Sequence, residues 1–251
     1  MSQNITVSNP KAFSAFLSTV CKLVPSAKFQ FSPEGCDVMC MGEESVFRCF
    51  LKTDSAKATE PLCFCLSDSS KFFRAISIVH SVEQCTAVDL KFDGSFLSKS
   101  GEAAFRLRTV RDEVVSKWVS EPIKTELKTV YEFLTTAKLV NRLLMASNIV
   151  SSDRAKVYIF ANKDKMMGEL DDKLNKLNDS VTLPISKDPV VGIVDGVTCL
   201  SFVKFKLFSL LDSDAINVKM TDKNCFLVDS SATFDGSTVF MKLLVSTQRM
   251  N

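Results

Sequence analysis

The sequence predicts an α+β chain made of two copies of one plan, each a pair of helices with a largely antiparallel sheet. Three observations carry that expectation. The order helix, strands, helix, strands is read twice along the chain. The strand segments alternate apolar and polar residues and are joined by short turns, as in antiparallel sheets with one buried face. A length of 251 residues accommodates two domains of ordinary size.

In the first half, residues 3–7 read as a short strand. Asn9 caps a helix that has Pro10 at its first position, where a missing N–H costs nothing, and that runs to about residue 24. Residues 28–31 alternate, Ser32-Pro33-Glu34-Gly35 makes a turn, and 36–41 resumes as a strand. Two more strands are read at 46–53 and 61–66. Ser67-Asp68 opens a second helix reaching about residue 81, and strands at 87–92 and 103–110 flank a turn at Asp93-Gly94.

The order then recurs. A helix is expected over 129–147, strands at 156–161, 166–170, 181–185 and 198–200, a helix over 202–211, and strands at 215–220, 226–229 and 239–246. The nearest echo between the halves sets residues 89–98 against 217–227; identity is weak, and the shared order carries the repeat. The expected division is a first domain at 1–114, a polar connector at 115–128 and a second domain at 129–251. Such sheets leave edges that need partners.

Composition narrows the function. Hydrophobic residues make up 46% and charged residues 24%, the balance of a globular chain, and no apolar run approaches the roughly 18–20 residues that span a bilayer. The opening residues have neither a basic region nor an apolar core, so no signal peptide is expected. Nine cysteines, an odd number without a framework, suit an intracellular, reducing compartment where they act as small buried hydrophobes. Cys36 with Cys40, or Cys63 with Cys65, lacks the second matched pair a zinc site needs. The one histidine, His80, lies in a helical pattern with no nucleophile signature beside it. No phosphate-binding glycine loop or nucleophile elbow is present, and Asp171-Asp172 stands in a charged, solvated stretch. Neither catalysis nor a cofactor or metal is expected.

Net charge is only +2, so the placement of the cations matters more than their number. Lys11 and Lys22 share a polar face of the first helix with Ser14 and Ser18, opposite Phe13, Phe16, Leu17, Val20 and Val24. Lys71, Arg74 and Ser81 form a stripe on the second, opposite Phe72, Phe73, Ile76 and Val79. On the third, Thr135, Lys138 and Arg142 align against Phe133, Leu134, Val140 and Leu144. The fourth carries Lys204 and Lys206 on different faces, only one of which can belong to a common surface; Lys204 joins the candidate set with Lys206 as the alternative. Any one such face is an ordinary solvated helix surface. Four that all exclude carboxylates suit sliding, non-specific contact with phosphates, and the lack of aromatic residues speaks against stacking on single strands.

The segment Phe29-Gln30-Phe31-Ser32-Pro33-Glu34-Gly35-Cys36-Asp37-Val38-Met39-Cys40-Met41-Gly42-Glu43-Glu44-Ser45-Val46 resembles the DNA polymerase sliding clamps, the proliferating-cell-nuclear-antigen type and its phage counterparts. The shared pattern is an aromatic strand, a Ser-x-x-Gly turn, an alternating strand ending in Met, and a Ser-x-Val-like opening of the next strand. Residues 66–76 resemble the family's second helix more loosely, and by element order the likeness covers nearly the whole chain. Gly42 departs from the acidic residue usual after the methionine, no His follows Ser45, and the connector is shorter and more polar than in cellular clamps. Low identity with an intact order points to a viral or phage clamp, and for a phage clamp the compartment is the host cytoplasm.

The resemblance implies the DNA clamp fold, with three chains closing a ring of six units, helices lining the hole and sheets outside. It implies a processivity factor that encircles duplex DNA, and clients such as a polymerase and a clamp loader that dock through short hydrophobic peptides. Met41 and Val46 match the floor of that docking site; the connector around Val115 and Trp118 supplies its wall. Trp118, the one tryptophan, either serves there or packs the connector onto a domain. Two rivals stand: a viral processivity subunit of the same fold that grips DNA as a monomer or dimer, and a nucleotide-processing enzyme.

Overall fold

The computed structural model describes residues 3–42, 47–83, 88–92, 95–100, 103–111, 115, 127–150, 154–174 and 179–250. The chain forms two compact units, one of Met1–Lys124 with Ala232–Met241 and one of Thr125–Ser231 with Lys242–Asn251. The fold is mixed helix and antiparallel sheet, as the alternating strands required.

Unit 1 opens with β1 (Gln3–Val7), α1 (Pro10–Leu23), β2 (Ala27–Ser32), β3 (Gly35–Met41) and β4 (Phe47–Thr53). It continues through β5 (Ala56–Ala58), β6 (Leu62–Leu66), α2 (Ser69–Glu83), β7 (Val88–Phe92), β8 (Ser95–Ser100) and β9 (Ala103–Arg108). One sheet has the order β5-β1-β7-β8-β9, which leaves β9 at an edge. Another runs β4-β3-β2-β6. Beyond β9, the Val110 N–H donates to Cys65 O at 2.9 Å. The strands β5 and β8 are too short or too polar to have been read from sequence, and the expected Asp93-Gly94 turn lies outside the described residues.

Asn9 caps α1 as expected: its Oδ1 accepts from the Ala12 N–H at 3.0 Å, with Pro10 next in line. Asp68 opens α2, its Oδ1 accepting from the Ser70 N–H at 2.9 Å and the Ser70 hydroxyl at 2.6 Å. The two helices meet the β2–β6 strand pair in a phenylalanine core. The ring of Phe72 lies 5.7 Å from Phe13 and 5.6 Å from Phe29, and Phe29 and Phe31 each stack on Phe64. Burying each such ring contributes roughly 2–3 kcal/mol, and the rings fix the helices' polar faces outward.

Unit 2 corrects one expectation. Residues 129–147 are not a single helix: β10 (Thr129–Thr135) comes first, and α3 (Ala137–Met145) follows. Tyr131, Phe133 and Thr135 alternate into the core at 4%, 2% and 1% exposure, and β10 pairs with β16 (Ile216–Thr221) along its length. Thr136 ends the strand and caps α3, accepting from the Leu139 N–H at 3.1 Å. Thr135 is therefore a buried strand residue and no part of a helical stripe with Lys138 and Arg142. The correction makes the repeat closer, because β10-Thr136-α3 now matches β1-Asn9-α1.

The rest of unit 2 comprises β11 (Lys156–Asn162), β12 (Lys165–Asp171), β13 (Val181–Pro184), β14 (Val191–Gly192) and β15 (Val197–Ser201). After α4 (Phe202–Lys206) come β16, β17 (Cys225–Phe234), β18 (Ser237–Ser246) and β19 (Gln248–Met250). The expected helix over 202–211 is shorter: α4 tightens into a 3₁₀ turn at Leu207–Ser209. One sheet runs β13-β12-β11-β15-β19, with β13 at its edge; another runs β14-β10-β16-β17-β18. Phe208 stands 5.4 Å from Phe205 and 5.9 Å from Phe226, holding α4 to the sheet.

The tip of the β17–β18 hairpin belongs to unit 1, where β18 lies beside β4. Asp235 and Gly236 adopt φ of 47° and 89°, the left-handed pair of a tight hairpin turn. Asn9 Nδ2 donates to Phe234 O at 2.6 Å, and Asp54 Oδ1 accepts from the Thr238 N–H at 2.9 Å.

Candidate nucleic-acid interface

The helices α1–α4 carry two cations each and, among them, one carboxylate, Glu83 at the end of α2. None has an acidic residue in its first turn, although the helix dipole favours one there. Capping falls instead to Asn9, Thr136 and Ser201, and to Asp68. Among the described residues the other carboxylates lie on strands, turns and loops, among them Asp164, Asp188, Asp222 and Asp235. Carboxylates are thus nearly excluded from these helices, while cations lie both on them and on strands such as β4, β11 and β16.

In unit 1, Lys11, Lys22, Lys71 and Arg74 are all exposed. Lys11 and Lys22 stand three turns apart on the face of α1 opposite Phe13, Phe16, Leu17 and Val20. Lys11 meets Asp235 at 3.4 Å, with side chains 64% and 72% exposed, so the pair is weak and salt-sensitive. The Ser70 hydroxyl, then the backbone and nearby Lys71, hold the Asp68 carboxyl below its ordinary value.

In unit 2, Lys138 and Arg142 are exposed on α3, one turn apart and opposite the buried Ala137, Val140 and Leu143. Lys204 is different. Its ammonium donates to Ser246 Oγ at 2.8 Å and Ser246 O at 3.0 Å, which ties it to β18 and leaves it half-buried. Lys206 is the exposed cation of α4. No spacing rule separates these two lysines; the nearby β18 carbonyl does.

Of the expected docking residues, Met41 is half-buried at the end of β3 and Val115 is fully buried, whereas Val46 and Trp118 lie outside the described residues. Beside Met41, Gly42 donates its N–H to Phe47 O at 3.0 Å, and the Phe47 ring covers the glycine so closely that a Cβ there would strike it. A side chain at position 42 would therefore require the Phe47 ring to shift. Phe47 was missed, although an aromatic residue opening the returning strand was visible in the sequence.

Neither a protein-family profile nor a curated protein sequence matches the chain. Solved structures do. PCNA from A. fulgidus, determined with the C-terminal region of FEN-1 bound, superposes with a TM-score of 0.73 at 14% identity, over 99% of each chain. PCNA from Entamoeba histolytica gives 0.73 at 11% identity over 98% of each chain. PCNA from Thermococcus kodakaraensis gives 0.72 at 16% identity, over 98% of this chain and all of its own. The chain has the fold of the sliding clamps, two repeated helix-and-sheet units in one polypeptide. Among the described residues, no helix is long and apolar enough to cross a membrane.

Proposed function

We propose that this chain is a DNA sliding clamp: a homotrimeric ring that encircles duplex DNA without sequence preference and tethers a replicative polymerase. One observation carries the assembly. Within unit 1, β4 takes as its sheet neighbour the part of β18 that belongs to that unit. Their counterparts in the other repeat, β13 and β9, both stand at sheet edges. Pairing β9 of one chain with β13 of the next would set the equivalent strands side by side between chains; the contact is heterologous, and a rotation of one third of a turn per chain would close it as a ring of three. Three chains complete the six units that the clamp resemblance implies.

Apolar side chains beside those edges support the joint. α2 packs against β9 and leaves Ile78 58% exposed; α3 packs against β13 and leaves Met145 65% exposed, with Ile149 beyond it at 56%. A ring joint would cover both sets. The carboxylate-poor helices supply the DNA face through Lys11, Lys22, Lys71, Arg74, Lys138 and Arg142, with Lys206 taking the place of Lys204. A peptide of the kind seen on A. fulgidus PCNA would dock near Met41, Val46, Val115 and Trp118, which gives the polymerase and the clamp loader a common handle. The chain would have no catalytic residue.

The test is topological. Protein loaded on nicked circular duplex is washed at high salt, which removes phosphate-only binding, and the DNA is then linearised. Retention on the circle with loss on linearisation is expected. Equal retention on both forms would establish binding without encirclement and favour the non-encircling subunit.

A further inference from the structure

Two of the buried cysteines face each other. Cys40 on β3 and Cys49 on β4 are register partners, both turned inward, at 1% and 3% exposure. Among the described residues they are the one pair of cysteines set directly opposite in a strand register. The Gly42 N–H to Phe47 O bond of 3.0 Å marks the next rung but one as hydrogen-bonded. Rungs alternate along an antiparallel pair, so the 40/49 rung is of the hydrogen-bonded kind, with a Cα separation of about 5.5 Å. Disulfides span Cα separations of roughly 4.4–6.8 Å, most often about 5.5–6 Å. The Cys40 thiol is near enough to raise the pKa of Cys49.

We propose that Cys40 and Cys49 are a modification site, a thiol pair that closes as a disulfide across β3 and β4 when a two-electron thiol oxidant reaches it. With the azo oxidant diamide, one thiolate adds to the N=N bond and forms an S–N bond. The second thiolate attacks that sulfur, the S–S bond forms, and the S–N bond breaks. The two thiols are oxidised, and the azo group leaves as a hydrazine carrying both protons. Burial, reinforced by the Cys40 thiol, pushes the Cys49 thiol well above its ordinary value. The thiolate is therefore scarce at neutral pH, and closure accelerates as pH rises. The bond lies next to Met41 but does not depend on the clamp reading.

The experiment treats the reduced, folded, full-length chain with diamide, blocks remaining thiols and maps the products without reduction. Trypsin cuts after Arg48, between the two cysteines, so a bridge joins two peptides. The expected result is a loss of about 2 Da, one mass-mapped Cys40–Cys49 link, and full reversal by reductant. The Cys40→Ala and Cys49→Ala chains should show no such loss under the same conditions. A dominant bridge through Cys36, Cys63 or any other cysteine would overturn the proposal. So would a wild-type chain that keeps its full thiol count until it is unfolded.

Discussion

Replacing Asn9 by alanine tests how the hairpin tip is held within unit 1. One side chain performs two tasks: Oδ1 caps α1 through the Ala12 N–H at 3.0 Å, and Nδ2 grips the hairpin tip through Phe234 O at 2.6 Å. Loss of an N-cap costs about 1 kcal/mol, and loss of a partly buried hydrogen bond about another 1 kcal/mol, so Asn9→Ala should destabilise by roughly 2 kcal/mol. Asn9→Ser keeps the cap but cannot reach the hairpin as a donor, and should lose about half of that. The neighbouring Lys11–Asp235 pair, being largely exposed, should add little when Lys11→Ala is made. The assay is urea denaturation followed by circular dichroism, with the slope unchanged and the midpoint shifted. If Asn9→Ser and Asn9→Ala cost the same, the cap contributes nothing and the division of labour is wrong; if neither shifts the midpoint, the side chain does not hold the hairpin at all.

Three further predictions follow from the surface and the core. Changing Lys22, Arg74, Lys138 and Arg142 together to Glu should abolish processive synthesis with the far-ultraviolet spectrum and oligomer mass unchanged; undiminished processivity would remove the helices from the DNA face. Fewer phosphate contacts should also flatten the salt dependence of DNA binding, by close to one unit of log–log slope per lost contact. Met41→Glu with Val46→Glu should abolish polymerase stimulation while leaving the ring closed, and the Trp118 fluorescence should shift when a polymerase C-terminal peptide is added to the unmodified protein; normal peptide affinity in the double variant would put the pocket elsewhere. Burial raises the Asp37 carboxyl above its ordinary value, against the pull of Lys52. The folded state therefore holds this proton more tightly than the unfolded one, and stability falls as pH rises above about 3.9, the unfolded value. Asp37→Asn should stabilise the chain at neutral pH and make no difference in acid; a gain independent of pH would show that charge is not the cause.

The parts of the fold that were legible in the sequence had local chemistry of their own. Asn9-Pro10 announces a helix start, and Ser32-Pro33-Glu34-Gly35 announces the turn between β2 and β3. Residues 129–147 misled because Val130, Phe133, Leu134, Ala137 and Val140 recur at helical spacing, while Tyr131, Phe133 and Thr135 recur at strand spacing. The burial of β10 against β16 decided between them, and that is a contact distant in sequence. Lys138 and Arg142 kept their predicted alignment because both follow the Thr136 cap. The Asp235-Gly236 turn carried a readable hairpin signal that was passed over. Lys204 could not have been sorted from Lys206, since Ser246 lies 42 residues away. The Gly42–Phe47 contact likewise depends on two strands meeting, which spacing alone does not report.

The molar mass of the purified chain in solution, measured by light scattering at micromolar concentration, tests the ring most directly. The account predicts a single species at three times 27.8 kDa, stable on dilution and reduced to the monomer mass by charged substitutions at Ile78 and Met145. A monodisperse 27.8 kDa species at that concentration, with β9 and β13 both left unpaired, would contradict it.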